Sequence, residues 1–339
     1  MMLSSNEANQ PRWHGQPGFF EIWFLVVFDP ARRRAWWLRY TTFAPPIGPP
    51  RATVWAAAFD ATTQHAVAGK LIVPIDRFDA GARDGFGVRI DTATLGHGMC
   101  RGEVDAGGHR LAWNLTFTPA ATVAHRGPRW LDRVPSPTHV AHVNSEILFD
   151  GRTAVDEEQT SLRGAPGLQK HIWGTRRVEE LFWIYCPRFL EAPDAAFEAS
   201  SVRVRAGRPP RLTSLWLRAN GHEEYGWWGL PGILRNRIVV TGAGRLRAEG
   251  TLGGTRIIAE AACDPRSLVG YVYRDPLGKD LFVAQSDVAT CTVEVATRRH
   301  RFAPWQPRTR LTGPLAAVEF HQPIPLPGVR YVPWDATSV

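Results

Sequence analysis

Cysteine is scarce and scattered in this 339-residue sequence. The four cysteines, Cys100, Cys186, Cys263 and Cys291, include no C-x-x-C pair, and three of them lie in apolar, strand-like patterns. This spacing gives neither a zinc-finger signature nor a disulfide framework. We therefore expect free thiols that behave as small hydrophobic side chains in a reducing compartment.

Long hydrophobic runs are also missing. The strongest candidate, residues 19–28, is too short for the roughly 20 apolar residues of a membrane-spanning helix, and it contains Glu21. Residues 1–16 lack the charged-then-apolar pattern of a secretory signal. These absences predict a cytoplasmic protein.

Lysine is nearly absent, since Lys70, Lys170 and Lys279 are the only ones, and arginine supplies most of the positive charge behind the formal net value of +8. A basic chain can favour nucleic acid or an anionic membrane as a partner. The arginines are scattered, and the only triple run, residues 32–34, follows an Asp-Pro turn signal and is expected to form a solvated hairpin loop. The scatter argues against nucleic acid; peripheral membrane contact would require arginines gathered on one face.

Uninterrupted helical periodicity is lacking as well, because 31 Gly and 27 Pro divide the chain into short segments. Strand-like segments recur about every ten residues, which is typical of an all-β sandwich or barrel. The length exceeds the roughly 250–300 residues at which one core stops growing, so two domains are expected. We predict a disordered lead over residues 1–17, a first antiparallel barrel over 18–142, and a second over 143–339 that ends in an extended strap.

The first predicted hairpin pairs residues 19–28 with residues 36–43. Side chains alternate between the two faces of a strand, which places Trp36 and Tyr40 on one face and Trp37 and Arg39 on the other. Because both faces carry aromatic rings, this strand should be covered on both sides, either as the wall of a ligand-holding barrel or under a partner domain.

The central stretch combines an imidazole with several aromatic rings. In an extended chain His171 and Trp173 share one face, and Trp183 and Tyr185 share a face of the next strand. Two interpretations remain open: a wall of a binding cavity, or an aromatic cluster in a β core with a hydrogen-bonded histidine.

Three segments together resemble the carotenoid hydratase (hydroxyneurosporene synthase) and tocopherol cyclase-like proteins. They are the Glu21-Ile22-Trp23 hairpin, the His171-Ile172-Trp173-Gly174 motif followed by Trp183, and the run from Tyr273 to Gly278. The resemblance implies two lipocalin-like barrels, an apolar ligand such as a polyene, prenyl compound, lipid or polyketide, and no redox cofactor. It also implies activity associated with a His-x-Trp pair, matched by His171 and Trp173, and a downstream Tyr-x-Asp pair. That downstream region here contains Glu198 instead, and the Tyr-x-Asp sequence occurs later, at Tyr273 to Asp275, in an expected surface turn.

Hydration or cyclisation of an alkene requires a strong acid, exclusion of water and aromatic faces that stabilise a carbocation. Glu21 is the preferred acid because it is an isolated carboxyl group within an apolar strand, and the alternative is an ion pair with Arg39. Glu180, Glu223 and Glu224 are weaker candidates, and His222-Glu223-Glu224 does not form a zinc motif. The predicted ligand-binding residues are Trp23, Trp37, Arg39, Tyr40, Trp113, Trp183, Tyr185, Trp227 and Trp228.

The sequence therefore leads to two hypotheses. The first is a cofactor-independent hydratase or cyclase that uses His171, Trp173 and Glu21 and needs no metal. The second is a non-catalytic carrier of a lipid or pigment, with the same cavity but no proton donor. A buried carboxyl group without a cationic partner would favour the enzyme. The sequence does not indicate an oligomeric state.

Overall fold

The structure is a computed structural model that describes residues 3–81, 85–128, 134–219, 223–227, 229 and 232–337. Within these residues nearly every element is a β-strand, and the strands form two sheets of eleven strands each. The predicted fold class, all-β with two lipocalin-like antiparallel barrels packed together, is confirmed.

The first sheet follows the order β4-β3-β2-β1-β11-β10-β9-β8-β7-β6-β5 and is antiparallel throughout. Its strands are β1 (Phe19–Asp29), β2 (Arg34–Ala44), β3 (Arg51–Asp60), β4 (His65–Pro74), β5 (Phe78–Ala80), β6 (Gly87–Ile90), β7 (Ala93–Gly96), β8 (Met99–Ala106), β9 (His109–Phe117), β10 (Thr138–Val155) and β11 (Glu158–Gly174). Strand β4 also packs against β8, so the sheet curls towards a barrel. A short 3-10 helix, Ile75–Arg77, precedes β5.

The second sheet follows the order β15-β14-β13-β12-β21-β20-β18-β17-β16, with β19 on β20 and β22 parallel to β19. Its strands are β12 (Glu180–Cys186), β13 (Ala196–Arg203), β14 (Leu212–Ala219), β15 (Glu223–Gly226), β16 (Arg237–Gly242), β17 (Arg245–Leu252), β18 (Thr255–Ala262), β19 (Val269–Arg274), β20 (Asp280–Thr297), β21 (Gln306–Gln322) and β22 (Tyr331–Val332). A short helix α2 (Gly232–Arg235) and a 3-10 helix (Pro265–Ser267) complete it. None of the helices in the described parts of the chain has the length and apolar character needed to cross a membrane.

Three hydrophobic cores follow from the alternation of side chains. One lies inside the first sheet, one lies inside the second, and the third, here called the inter-sheet layer, lies between them. Along β1, Trp23 and Leu25 point into the first sheet, whereas Phe24 and Val26 point into the inter-sheet layer. The expectation that the first hairpin is covered on both faces is therefore correct, and the cover on its second face is the other sheet.

The two sheets divide between Gly174 and Glu180, whereas the predicted division at 142/143 falls inside β10. Strands β10 and β11 both belong to the first sheet because β11 pairs with β1 and β10 pairs with β9. The pairing of β10 with β11 is interrupted by register shifts between Ala141 and Ile147, close to the predicted division.

The N-terminal segment contains a helix, α1 (Ser5–Asn9), where a disordered lead was expected. Ser4 and Glu7 form a reciprocal capping box, which satisfies backbone donors at the helix start. Ala8 and Asn9 are buried against the first sheet. The Ser-x-x-Glu spacing was the signal in the sequence for this helix.

After β21 the chain runs along the molecule as an extended strap. The backbone amide of Lys70 donates to the Thr337 carbonyl (3.0 Å), and the Trp334 ring packs near Phe43. The strap thus covers one edge of the inter-sheet layer.

Candidate functional site

His171 lies inside the first sheet, completely buried between two indole rings. Its ring centroid is 4.8 Å from that of Trp23 and 4.6 Å from that of Trp173. The predicted shared face of His171 and Trp173 is correct. Trp183 and Tyr185 likewise stack on one face of β12, with ring centroids 5.9 Å apart.

Both nitrogens of the His171 ring have partners. Nδ1 lies 2.7 Å from the Ala8 carbonyl oxygen, which can only accept, so Nδ1 carries a proton. Nε2 lies 2.8 Å from Glu21 Oε1. The Glu21 carboxyl group also accepts from the backbone amides of Arg12 (2.6 Å) and Trp13 (2.9 Å). His171 and Glu21 thus form a buried hydrogen-bonded pair held against the N-terminal segment.

The predicted alternative partner of Glu21, Arg39, lies on the opposite face of the hairpin. Glu21 is aligned with Thr42, while Arg39 is aligned with Phe24, whose side chain points into the inter-sheet layer. Since successive side chains alternate, the proposed Glu21–Arg39 ion pair is wrong. The observed partner of Glu21 is His171.

The other predicted site residues divide among the three cores. Tyr40 and Trp113 lie inside the first sheet, where Trp113 Nε1 donates to the Tyr40 hydroxyl at 3.0 Å. Trp227 lies inside the second sheet, and Trp228 falls outside the described residues. Glu180 forms ion pairs with Arg203 and Arg211. His222 and the side chains of Glu223 and Glu224 are also outside the described part of the chain.

Trp37, Arg39, Trp183 and Tyr185 all face the inter-sheet layer. Arg39 belongs to a row of aligned residues that crosses five strands of the first sheet. In order from β4 to β11 the row consists of Lys70, Trp55, Arg39, Phe24 and Lys170. Cationic and aromatic side chains therefore alternate along this wall of the layer.

The facing wall, formed by the second sheet, carries polar groups among aromatic rings. Glu319 on β21 is aligned with Gln285 on β20. His321 on β21 is aligned with Val283 on β20, which is in turn aligned with Tyr271 on β19. The centroids of the Trp55 and Tyr271 rings lie 5.0 Å apart, so the two walls meet at these side chains. We call this group the inter-sheet site, and its members are Arg39, Trp55, Tyr271, Tyr273, Gln285, Asp287, Glu319 and His321.

Five buried polar atoms of the inter-sheet site have no hydrogen-bond partner in the described chain. They are Trp55 Nε1, Tyr271 Oη, Gln285 Oε1, Asp287 Oδ2 and His321 Nε2. Native proteins pair nearly all buried polar groups with protein, water or ligand atoms. These donors and acceptors are concentrated in one part of the layer, among aromatic rings.

Two carboxyl groups of the inter-sheet site have unusual acidities. Burial, with a smaller contribution from the nearby Glu319, raises the pKa of Asp287 to about 7, while the hydrogen bond from Gln285 Nε2 at 2.8 Å acts in the opposite direction. Burial likewise raises the pKa of Glu319 to about 7, although Arg39, Lys170 and Arg177 act in the opposite direction. No cationic side chain of the described residues lies within 4.0 Å of Asp287. Among the described residues, Asp287 is thus a buried carboxyl group without a cationic partner.

A separate cluster of charged side chains lies at the side of the inter-sheet layer formed by β11 and β13. Glu198, only 4% exposed, accepts from Lys170 Nζ and from Trp183 Nε1 (2.8 Å), and lies 3.4 Å from Arg126 Nε. Burial alone would raise the pKa of Glu198, but the positive charges of Lys170 and Arg126 bring it to about 2. This fully ionised, paired group is structural in character.

The sequence did carry a signal for Asp287 that the strand prediction hid. The polar triplet Gln285-Ser286-Asp287 interrupts the apolar pattern of the sequence, but β20 runs continuously from Asp280 to Thr297 with an irregular register at this point. A turn does follow Tyr273, between β19 and β20, but Tyr273 and Asp275 are buried where a surface turn was expected. Asp275 is buried and accepts from the backbone amide of Arg177, and Tyr273 belongs to the inter-sheet site.

Two open grooves, of about 440 Å³ and 530 Å³, lie away from the inter-sheet site. The first is lined in part by Arg32, Arg163 and Arg188, and the second by Arg126 and Glu146. Within the described residues, no group of three or more His, Cys, Asp or Glu side chains is arranged to hold a metal ion.

Comparison with known proteins agrees with a two-barrel β fold. The structure superimposes on kievitone hydratase from Nectria haematococca with a TM-score of 0.53 and 10% identity, over 95% of this chain and 94% of that one. It superimposes on CghA with a TM-score of 0.52 and 11% identity, over 95% and 93% of the two chains. The likeness at this identity is one of fold.

In sequence, the chain is 25% identical over 299 residues to the uncharacterized protein Rv0493c of Mycobacterium tuberculosis (strain ATCC 25618 / H37Rv), covering 87% of this chain and 86% of that protein. No protein-family model matches the sequence.

Proposed function

We propose that this protein binds an apolar small molecule between its two sheets and acts on it by acid catalysis, as a cofactor-independent hydratase or cyclase. The observation that carries the proposal is the set of five unpaired buried polar atoms within an aromatic layer. Aromatic walls with a few unpaired polar groups suit an apolar ligand that bears polar substituents.

Asp287 is the preferred proton donor in this proposal. Its raised pKa keeps a substantial fraction of the carboxyl group protonated near neutral pH, and the closed layer around it excludes bulk water. The faces of Trp37, Trp55 and Tyr271, which pack within 6.3 Å of one another, can stabilise a carbocation formed by protonation of an alkene. Two proteins with this fold, kievitone hydratase and CghA, the latter also solved with Sch210972, support a small-molecule function.

The first test is recovery of the ligand. Organic extraction and native mass spectrometry of purified protein should identify a co-purified isoprenoid, lipid or polyketide, which is then supplied as substrate. Asp287→Asn should reduce its conversion at least about 100-fold, since general acids contribute roughly 10²- to 10⁴-fold. Asp280→Asn, at the exposed start of the same strand, is the matched control and should retain activity. Unchanged conversion by Asp287→Asn would contradict the assignment of the acid.

The free energy of unfolding should fall as pH rises, because Asp287 is a buried acid with a raised pKa. A carboxylate in a structural ion pair would have the opposite effect, with stability lost as pH falls. Because the folded-state pKa of Asp287 is raised from 3.8 to about 7, its protonation stabilises the fold at low pH, and this stabilisation is lost as pH rises through 7. Asp287→Asn should therefore stabilise the protein by about 1 kcal/mol at pH 8, as substitutions of functional groups often do. Thermal melts of the wild-type protein and Asp287→Asn at pH 5 and pH 8 measure this effect. A difference in stability between the two proteins that is the same at both pH values would contradict it.

The carrier hypothesis assigns only ligand binding, and no reaction, to the same inter-sheet site. It predicts that Asp287→Asn leaves the bound molecule unaltered and that wild-type protein releases the compound unchanged.

The catalytic role expected for His171, Trp173 and Glu21 remains a separate prediction, since this group lies inside the first sheet, with the His171 nitrogens and the Glu21 oxygens hydrogen-bonded. A His171→Gln variant that folds but fails to convert the ligand would support it.

A further inference from the structure

The inter-sheet layer contains buried positive charge that the described residues do not neutralise. Arg39 is only 2% exposed, yet no carboxylate oxygen of the described chain lies within 4.0 Å of its guanidinium nitrogens. Its side chain donates from Nε to Thr41 Oγ1 at 2.9 Å and lies over the Tyr273 and Trp55 rings, at 4.1 Å and 4.9 Å from their centroids. Buried charges are normally paired, so this guanidinium is an exception.

Arg177 repeats the pattern on the other side of the Tyr273 ring. It is 6% exposed, donates from Nε to the Arg274 carbonyl, and lies 5.2 Å from the centroid of Tyr273. No carboxylate oxygen of the described residues is within 4.0 Å of the Arg177 guanidinium. Two guanidinium groups thus flank one phenol ring.

The nearby carboxyl group of Glu319 does not offset the charge of Arg39 fully, and Asp275 acts on Arg177. Glu319 is close enough to influence Arg39 and Arg177, but burial raises its pKa to about 7, so the Glu319 carboxyl group is partly protonated at neutral pH. The contrast is Lys170, in the same row of side chains, which has a direct partner in ionised Glu198. The positive charge of Lys170 is therefore paired within the layer, whereas the positive charge of Arg39 has no direct carboxylate partner among the described residues.

Arg39 also has unused hydrogen-bonding capacity. A guanidinium group offers five N–H donors in a planar fork that fits two oxygens of one acid. Arg39 donates from Nε to Thr41 Oγ1 and also hydrogen-bonds to Tyr273. These two side-chain partners use only part of the five-donor fork, and the other donors are available to a ligand.

We propose that Arg39 is the anchor for an acidic oxygen group, so that the ligand is an apolar compound carrying a carboxylate or an enolate. This inference rests on the proposed inter-sheet binding and adds the chemical class of the ligand. Tyr273 supports the Arg39 guanidinium from one face, and the aromatic rings of the layer accommodate the apolar body. Arg177 adds positive charge nearby without contacting Asp287.

The test compares two fluorescent probes that differ only in charge, cis-parinaric acid and its methyl ester. Titration of the wild-type protein should show the acid binding about tenfold or more tightly than the ester, because hydrogen bonds to charged groups contribute roughly 1.5–3 kcal/mol. Arg39→Gln should remove this preference while leaving ester affinity within about twofold. Arg34→Gln, on the same strand but in an exposed ion pair, is the control and should keep the preference.

The outcomes separate the two proposals. Equal affinity of wild-type protein for acid and ester overturns the Arg39 anchor but leaves inter-sheet binding in place. Failure of both probes to bind overturns the proposed binding layer as well. Circular dichroism melts establish that Arg39→Gln is folded; if it is not, Arg39→Lys, which keeps the charge but loses the fork, should weaken acid binding at least threefold without weakening ester binding. An acid preference that survives in a folded Arg39 variant contradicts the assignment.

Discussion

Replacing Glu198 with glutamine should destabilise the protein by about 3–5 kcal/mol, the usual cost of removing one partner from a buried ion pair. Glu198 is surrounded by Lys170 and Arg126 in a layer where water cannot replace the lost charge. Glutamine keeps the shape of the side chain but leaves Lys170 without a carboxylate and Arg126 with Glu146 alone. Urea unfolding followed by tryptophan fluorescence measures the change in the free energy of unfolding.

The same pair predicts how stability changes in acid. The folded-state pKa of Glu198 is lowered from 4.5 to about 2 by Lys170, His142 and Arg126, which outweigh burial. Its contribution is therefore fully present above pH 4.5 and is lost as pH falls towards 2. The difference between wild type and Glu198→Gln should accordingly shrink over this range.

Glu103→Gln is the matched control, because Glu103 forms an exposed pair with Arg110 and such pairs contribute about 0–1 kcal/mol. If Glu198→Gln costs no more than this control, the cluster around Glu198 is not a stabilising element of the inter-sheet layer.

Glu21→Gln should destabilise the protein by about 3 kcal/mol and release the N-terminal segment. The carboxylate accepts from two backbone amides and from His171, whereas an amide group can accept through only one oxygen and leaves a buried donor facing another donor. Hydrogen-exchange mass spectrometry of peptides covering residues 10–16 should show faster exchange at the amides of Arg12 and Trp13.

A purely catalytic role for Glu21 predicts a different result, with activity lost and both stability and amide protection unchanged. Glu7→Gln provides the comparison, since it alters only the exposed cap of α1. That variant should be destabilised much less than Glu21→Gln and should keep the amides of Arg12 and Trp13 protected.

Much of the local geometry was predictable because side-chain alternation is a local property of a strand. The shared faces of His171 with Trp173 and of Trp183 with Tyr185 follow from a period of two, as does the coverage of the first hairpin on both faces. Asp287 was missed because a polar triplet in a long irregular strand has the same composition as a turn.

The sequence by itself determined that this is an all-β protein of two barrels, since Gly and Pro spacing and strand alternation act over a few residues. Only the tertiary structure decided which faces meet. It placed Glu21 with His171 and not with Arg39, and it brought Arg39 to Tyr273, more than two hundred residues away in the chain. Burial, and with it the acidity of Asp287 and the unpaired charge of Arg39, arises only when two distant sheets close over the same layer.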